Sequence, residues 1–161
     1  MNKEIKIVPC REEHLNAVED IAVKAWTPIR EVNRRDLGDE LFEVFFANWE
    51  VAKRSSTRNA MMSGRSYVAL CDDKVVGFIR YAVNEALKSG EIRGNAVDPD
   101  CRGMGIGPKM YEFVFQKMRE EGMLYATVHT GLDDGHIPAR RAYEKAGFEK
   151  NIPSIEYYRK L

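Results

Sequence analysis

Between a strand-like run, Ile92 to Val97, and an apolar-periodic segment from about Pro108 lies Asp98-Pro99-Asp100-Cys101-Arg102-Gly103-Met104-Gly105-Ile106-Gly107. Gly103, Gly105 and Gly107 stand at alternate positions, so no Cβ keeps a ligand from the main chain, and several backbone N–H groups can converge on one anion. A helix following the loop adds its first-turn N–H groups and the positive end of its dipole, and Arg102 and Lys109 add full charges. The chemistry open to this pattern is the cradling of a pyrophosphate. Two familiar cradles do not account for it. A dinucleotide fingerprint, G-x-G-x-x-G, fails because Gly103 and Gly105 are followed by Gly107 and then Pro108; a Walker loop fails because the fifth residue after Gly103 is Pro108 and Lys109 precedes Met110. The residues spell R-x-x-G-x-G, Arg102 to Gly107, instead.

The elements that must position this loop follow from periodicity. Glu4 to Val8 alternates as a first strand stopped by Pro9, and Leu15, Val18, Ile21, Ala22 and Ala25 predict an amphipathic helix over 12–26 that ends before Thr27-Pro28. Leu41, Phe42, Phe45, Trp49 and Ala52 predict a second helix over about 39–53, with the charged residues between the two read as a solvated connector. From Arg65 the period becomes that of strands: Ser66 to Leu70, a turn at Asp72-Asp73-Lys74, Val75 to Val83, then Gly90 to Val97. A helix over about 108–121 ended by Gly122 and a parallel strand, Leu124 to Thr130, complete a strand–helix–strand unit with its ligand at the carboxyl ends of the strands. Pro138 opens a last helix reaching Ala146, and Phe148 and Ile155 to Tyr158 are expected to close the sheet.

The composition narrows the partners. With 161 residues and 44% hydrophobic content the chain has room for one α/β or α+β domain. Lys plus Arg equals Asp plus Glu at 25 each, so no global field draws the chain to nucleic acid or an acidic membrane, and phosphate binding must be local. Cys10, Cys71 and Cys101 are odd in number and widely spaced, which argues for a reducing compartment and against disulfides or structural zinc. Met1 to Cys10 lacks the apolar core of a signal peptide, and no stretch approaches the ~20 apolar residues of a membrane span, so a cytoplasmic location is expected. His129, Asp133, Asp134 and His136 match no metal-ligand spacing, and Cys101 has no partner base nearby; neither is assigned chemistry, and no metal is expected.

The Arg102–Gly107 pattern resembles the acetyl-CoA loop of the GCN5-related N-acetyltransferases, the GNAT superfamily, whose form is [QR]-x-x-G-x-[GA]. A second segment, His136-Ile137-Pro138-Ala139-Arg140-Arg141-Ala142-Tyr143-Glu144-Lys145-Ala146-Gly147-Phe148, is similar to the family's N-x-x-A-x-x-x-Y-E-K-x-G-F, with His136 where Asn usually contacts the pantetheine arm. The resemblance covers residues about 65–158. It implies an α/β fold, a mixed, mostly antiparallel sheet with a splayed central parallel pair flanked by helices. It also implies one domain over 1–161, with acceptor-side helices in 1–64 and the coenzyme side in 65–161.

The resemblance further implies an acetyl-CoA-dependent N-acetyltransferase. Its coenzyme contacts would be Arg102, Gly103, Met104, Gly105, Ile106 and Gly107 at the pyrophosphate and Ala96 and Val97 along the pantetheine. A bulge near the end of that strand would aim the Val97 N–H at the thioester oxygen, with His136 at the pantetheine arm and Tyr143 near the sulfur. Tyr143 would protonate the departing thiolate; without the resemblance it would read as a packed helix residue. The attacking amine must first lose a proton, and Glu91, which alternation places on one face with Arg93 and Asn95, is the candidate base, with a water chain or a mere surface charge as alternatives. The acceptor is expected to be a small primary amine such as a polyamine, amino sugar or aminoglycoside. A protein N-terminus or lysine is the enzymatic alternative, and a non-catalytic acyl-CoA sensor the alternative of another class. Dimers are common in the family.

Overall fold

In the computed structural model, which describes residues 4–161, the chain runs β1 (Ile5–Pro9), α1 (Leu15–Phe46), α2 (Trp49–Met61), β2 (Ser66–Cys71), β3 (Lys74–Asn84), β4 (Ser89–Val97), α3 (Ile106–Glu120), β5 (Tyr125–Val128) and α4 (Ile137–Lys145). The strands form one sheet in the order β1-β2-β3-β4-β5, antiparallel throughout except for the parallel pair β4-β5. The β2-β3 turn places Asp72 and Asp73 at φ of 48° and 61°, the left-handed pair that suits a tight hairpin.

Each face of the sheet carries its own apolar layer. Leu15, Val18, Ile21 and Ala22 of α1 and Met61 of α2 pack on Val68, Phe78 and Ala96 on one face. Ile106, Met110, Val114 and Met118 of α3 cover Ile79, Tyr81 and Ile92 on the other. Removing a large aliphatic side chain of this kind from water stabilises a fold by about 1.5–3 kcal/mol, so these two stripes fix where both helix layers lie. Among the described residues, no helix is long and apolar enough to cross a membrane.

Four expectations are corrected. The first helix does not stop before Thr27-Pro28 but continues to Phe46 with Pro28 inside it, so the supposed connector is helical; the interruption falls at Gly38 (φ 75°, ψ 163°). Pro28 removes one amide donor, and beside that gap the Thr27 hydroxyl donates to the Val23 carbonyl at 2.9 Å, so packing on the sheet outweighs a local break. The predicted 39–53 helix is split at Ala47-Asn48, its second part belonging to α2. Phe148 and Ile155 to Tyr158 form no strands, and the parallel pair therefore stands at the edge of the sheet rather than at its centre. An alternating run gains ladder hydrogen bonds only against a free edge; this tail crosses α1 instead, with Tyr158 edge-on to Phe45 at 5.0 Å and Lys160 on Glu40 at 2.5 Å. Finally, the bulge in β4 lies at Arg93, opposite Arg80/Tyr81, and not beside Val97.

The loop after β5 is pressed against α1 at Gly135, where an added Cβ would sit 2.7 Å from the Ile29 Cα. Neither backbone can yield like a flexible side chain, so Gly135→Ala is expected to cost about 1–3 kcal/mol of stability, read as a lower urea midpoint at unchanged m-value.

Candidate active site

A short 3₁₀ turn, Pro99–Cys101, follows β4, with the Asp98 carboxylate accepting the Asp100 N–H at 3.1 Å. Gly103 and Gly105 then adopt φ of 80° and 72°, and a Cβ on either would meet no protein atom within 4 Å. The space before the main chain is open and a side chain would fill it. Gly105 caps α3, so the Ile106 and Gly107 N–H groups precede any intrahelical acceptor, while the buried Ile106 side chain anchors the turn. Arg102, Met104 and Lys109 are exposed beside this surface. Lys24 of α1 reaches Asp98 at 3.4 Å and Asp100 at 3.2 Å, sharing its one charge between the two acids and tying α1 to the loop. These residues fit a pyrophosphate-bearing coenzyme. Cys101 is not activated by the nearby helix, since burial, with Asp98 as second cause, pushes its thiol up.

The parallel pairing of β4 with β5 runs only from Ser89↔Tyr125 to Ile92↔Val128. Beyond it and the bulged Arg93, residues 94–97 of β4 keep β3 on one side and have no β5 partner on the other. Into this parting comes Tyr143 of α4. Asn95 donates its amide N–H to the Tyr143 hydroxyl oxygen at 2.9 Å, and its carbonyl accepts the Tyr111 hydroxyl at 3.0 Å. Tyr143 thus receives a hydrogen bond and gives none to the described residues, leaving its proton for a ligand. Burial pushes its pKa up, partly opposed by the Asn95 hydrogen bond, so the phenol stays protonated at neutral pH.

The β4 bulge separates residues expected to share a face. Glu91 pairs with Ala82 and Asn95 with Ile79; since 79 and 82 are three apart on one strand, Asn95 faces α3 and α4 whereas Glu91 faces α1. Glu91 accepts from Arg93 at 2.8 Å and is 41% exposed along its side chain. His136 gives Nδ1 to Asp133 at 2.6 Å, which leaves Nε2 for another partner, and Asp134 pairs with Arg35 at 2.9 Å. Ala96 is buried toward α1, and Val97 is half-buried opposite Gly77. The sequence reading had no role for Asn95 or Tyr111; a polar Asn amid a β-rich run, where its propensity is poor, was the available signal.

A sequence profile described as the acetyltransferase (GNAT) family matches residues 15–148. The chain belongs to that family and is, by that membership, an N-acetyltransferase. It is 32% identical over 94 residues to the N-acetylaspartate synthetase of Xenopus tropicalis, an overlap of 57% of this chain and 33% of that protein, so the match spans about a third of that relative. Among solved structures, the fold is similar to the PaiA N-acetyltransferase of Thermoplasma acidophilum in complex with coenzyme A, with a TM-score of 0.68, 16% identity and 88% of each chain covered. It is similar also to the ribosomal-protein-S18-alanine N-acetyltransferase of Escherichia coli, with a TM-score of 0.64, 18% identity, and 92% of this chain and 80% of that one covered.

Gly105→Asp adds a Cβ at a positive φ and a carboxylate where an anion would bind. Two unit charges 4 Å apart repel by about 4 kcal/mol at an effective dielectric constant of 20, so acetyl-CoA affinity measured by calorimetry is expected to fall at least ~100-fold with the melting curve still cooperative. Unchanged affinity in the folded variant places the cradle elsewhere.

Proposed function

We propose that the chain moves the acetyl group of acetyl-CoA to a primary amine of a small molecule by direct attack, with no acetylated enzyme between. The observation that carries this reading is the Tyr143 hydroxyl, held by Asn95 in the parting of β4 and β5 with its proton uncommitted. Acetyl-CoA supplies an acetyl group activated as a thioester. The glycine loop and first-turn amides of α3 hold the pyrophosphate, assisted by Arg102 and Met104, and the unpaired edge of β4 at Ala96 and Val97 lies along the pantetheine, with the Val97 N–H stabilising the carbonyl oxygen as it gains charge. His136 takes the place of the family's asparagine and offers Nε2 to that arm. A complex of coenzyme A with a protein of similar fold supports this placement.

On the α1 side, Glu91 accepts a proton from the amine directly or through water. The nitrogen lone pair forms the new N–C bond, the C–S bond breaks, and Tyr143 on the opposite face gives its proton to the sulfur before regaining one from solvent. Base and acid thus work from the two faces of one strand. The three unpaired cysteines and balanced charge fit a cytoplasmic enzyme.

Tyr143→Phe keeps the ring contacts with Tyr111 and Phe148 and removes the proton. Single-turnover kinetics are expected to show the chemical step slowed by about 10²–10⁴-fold with acetyl-CoA affinity nearly unchanged. An unaltered chemical step assigns the ring to packing alone.

A further inference from the structure

Helix α1 crosses the parting end of the sheet between two ties. Lys24 bonds Asp98 at the end of β4; farther along, Ile29 lies against Gly135 and Arg35 bonds Asp134 in the segment after β5. Trp26 and Arg30 stand on this crossing, one helical turn apart. The Arg30 guanidinium lies over the Phe46 ring at 4.3 Å and uses Nη1 on Asn33 at 2.9 Å, but its Nε is buried with no hydrogen-bond partner. From α2, the Lys53 ammonium sits over the Trp26 indole at 3.1 Å, and among the described residues it has neither a hydrogen bond nor an ion pair.

The neighbouring cations are placed differently. Lys24, Arg34, Arg35, Arg54 and Arg58 each hold a carboxylate. Burial first, and the charge of Arg30 second, push the Lys53 pKa down to about 8, and burial lowers that of Arg30. Two half-buried like charges, each set against its own ring, are unfavourable unless an anion joins them. The nearby acids are largely engaged: Asp134 with Arg35, Glu43 with Arg34, and one oxygen of Asp133 with His136. Among the described carboxylates Oδ1 of Asp133 is buried without a hydrogen-bond partner; it makes no ion pair with Arg30, although its charge and that of Tyr158 oppose the burial that lowers the Arg30 pKa.

We propose that Arg30 and Lys53 bind a carboxylate of the acceptor, so that the amine acetylated at this site belongs to an amino acid or related amino carboxylate. This rests on the N-acetyltransferase reading above and sharpens its acceptor. The guanidinium supplies a planar pair of donors and the ammonium a point charge, while Trp26 and Phe46 wall the stem of the ligand. A polyamine or aminoglycoside brings more positive charge to a place that already holds two cations with no ion pair among the described residues.

The test is thiol release from acetyl-CoA by the purified chain with a panel of free L-amino acids, their carboxamides and spermidine, beside calorimetric measurement of coenzyme affinity. The best free acid is expected to exceed its carboxamide by about 10- to 100-fold in kcat/KM, the worth of a charged hydrogen bond. Lys53→Met should erase that preference through KM, leaving kcat, carboxamide turnover and acetyl-CoA affinity in place, and Lys53→Arg should restore most of it. A preference for carboxamides or spermidine, equal losses for acids and amides in Lys53→Met, or no turnover of any amino carboxylate overturns the assignment. Tight coenzyme binding in those cases keeps the acetyl-CoA site standing, whereas absence of both coenzyme binding and turnover sinks the enzyme reading itself.

Discussion

One inserted residue governs how this site is built. The bulge at Arg93 lets β4 stay in register with β3 on both sides of it while exchanging the faces of the residues that follow. Without it, Asn95 would point toward α1 with Glu91, and Tyr143 would have no partner on the strand. With it, one strand presents a carboxylate to the helix pair α1-α2 and an amide to α3-α4. The parting of β5 begins at the same place, since its last pairing is to Ile92. The strand therefore changes its faces and loses a neighbour within one turn of the pleat, so a ligand lying there meets both helix layers at once.

The conformation of the glycine loop and the helix from Ile137 to Lys145 were legible because both follow from residue identity at short spacing. Gly103 and Gly105 do adopt the positive φ that only their lack of a side chain makes cheap, and Tyr143 lies on the expected helix. The faces of β4 were not legible: strict alternation is the natural reading of Gly90 to Val97, and nothing in that run marks which residue is extra. The long helix was missed for a similar reason. Pro28 is a local break signal worth about 3 kcal/mol in an isolated helix, yet the apolar stripe before it and the contact of Ile29 with Gly135 after it hold the axis in place. That error hid the placement of Arg30, because a solvated connector has no inward face.

Charge distribution on the α1-α2 layer is uneven in a way that composition conceals. Arg54 holds Asp20, and Arg58 holds Glu19 and Asn16, so α2 is fastened to α1 by pairs whose charges cancel locally. Arg30 and Lys53 stand outside this pattern, on aromatic rings in place of carboxylates. A chain with zero formal net charge thus keeps a small cationic region at one end of its α1-α2 layer.

The Tyr111–Asn95–Tyr143 chain also has a thermodynamic meaning. A tyrosine left to rotate must be ordered when the coenzyme arrives, and immobilising such a side chain costs about 0.5–1.5 kcal/mol of affinity. Asn95 holds the Tyr143 hydroxyl in place, and the rings of Tyr111 and Phe148 fix its plane, in the protein alone. In the proposed reading, where Tyr143 acts on the bound thioester, the entropy of aiming the phenol is charged to folding, and the free energy of coenzyme association is left undiminished by it.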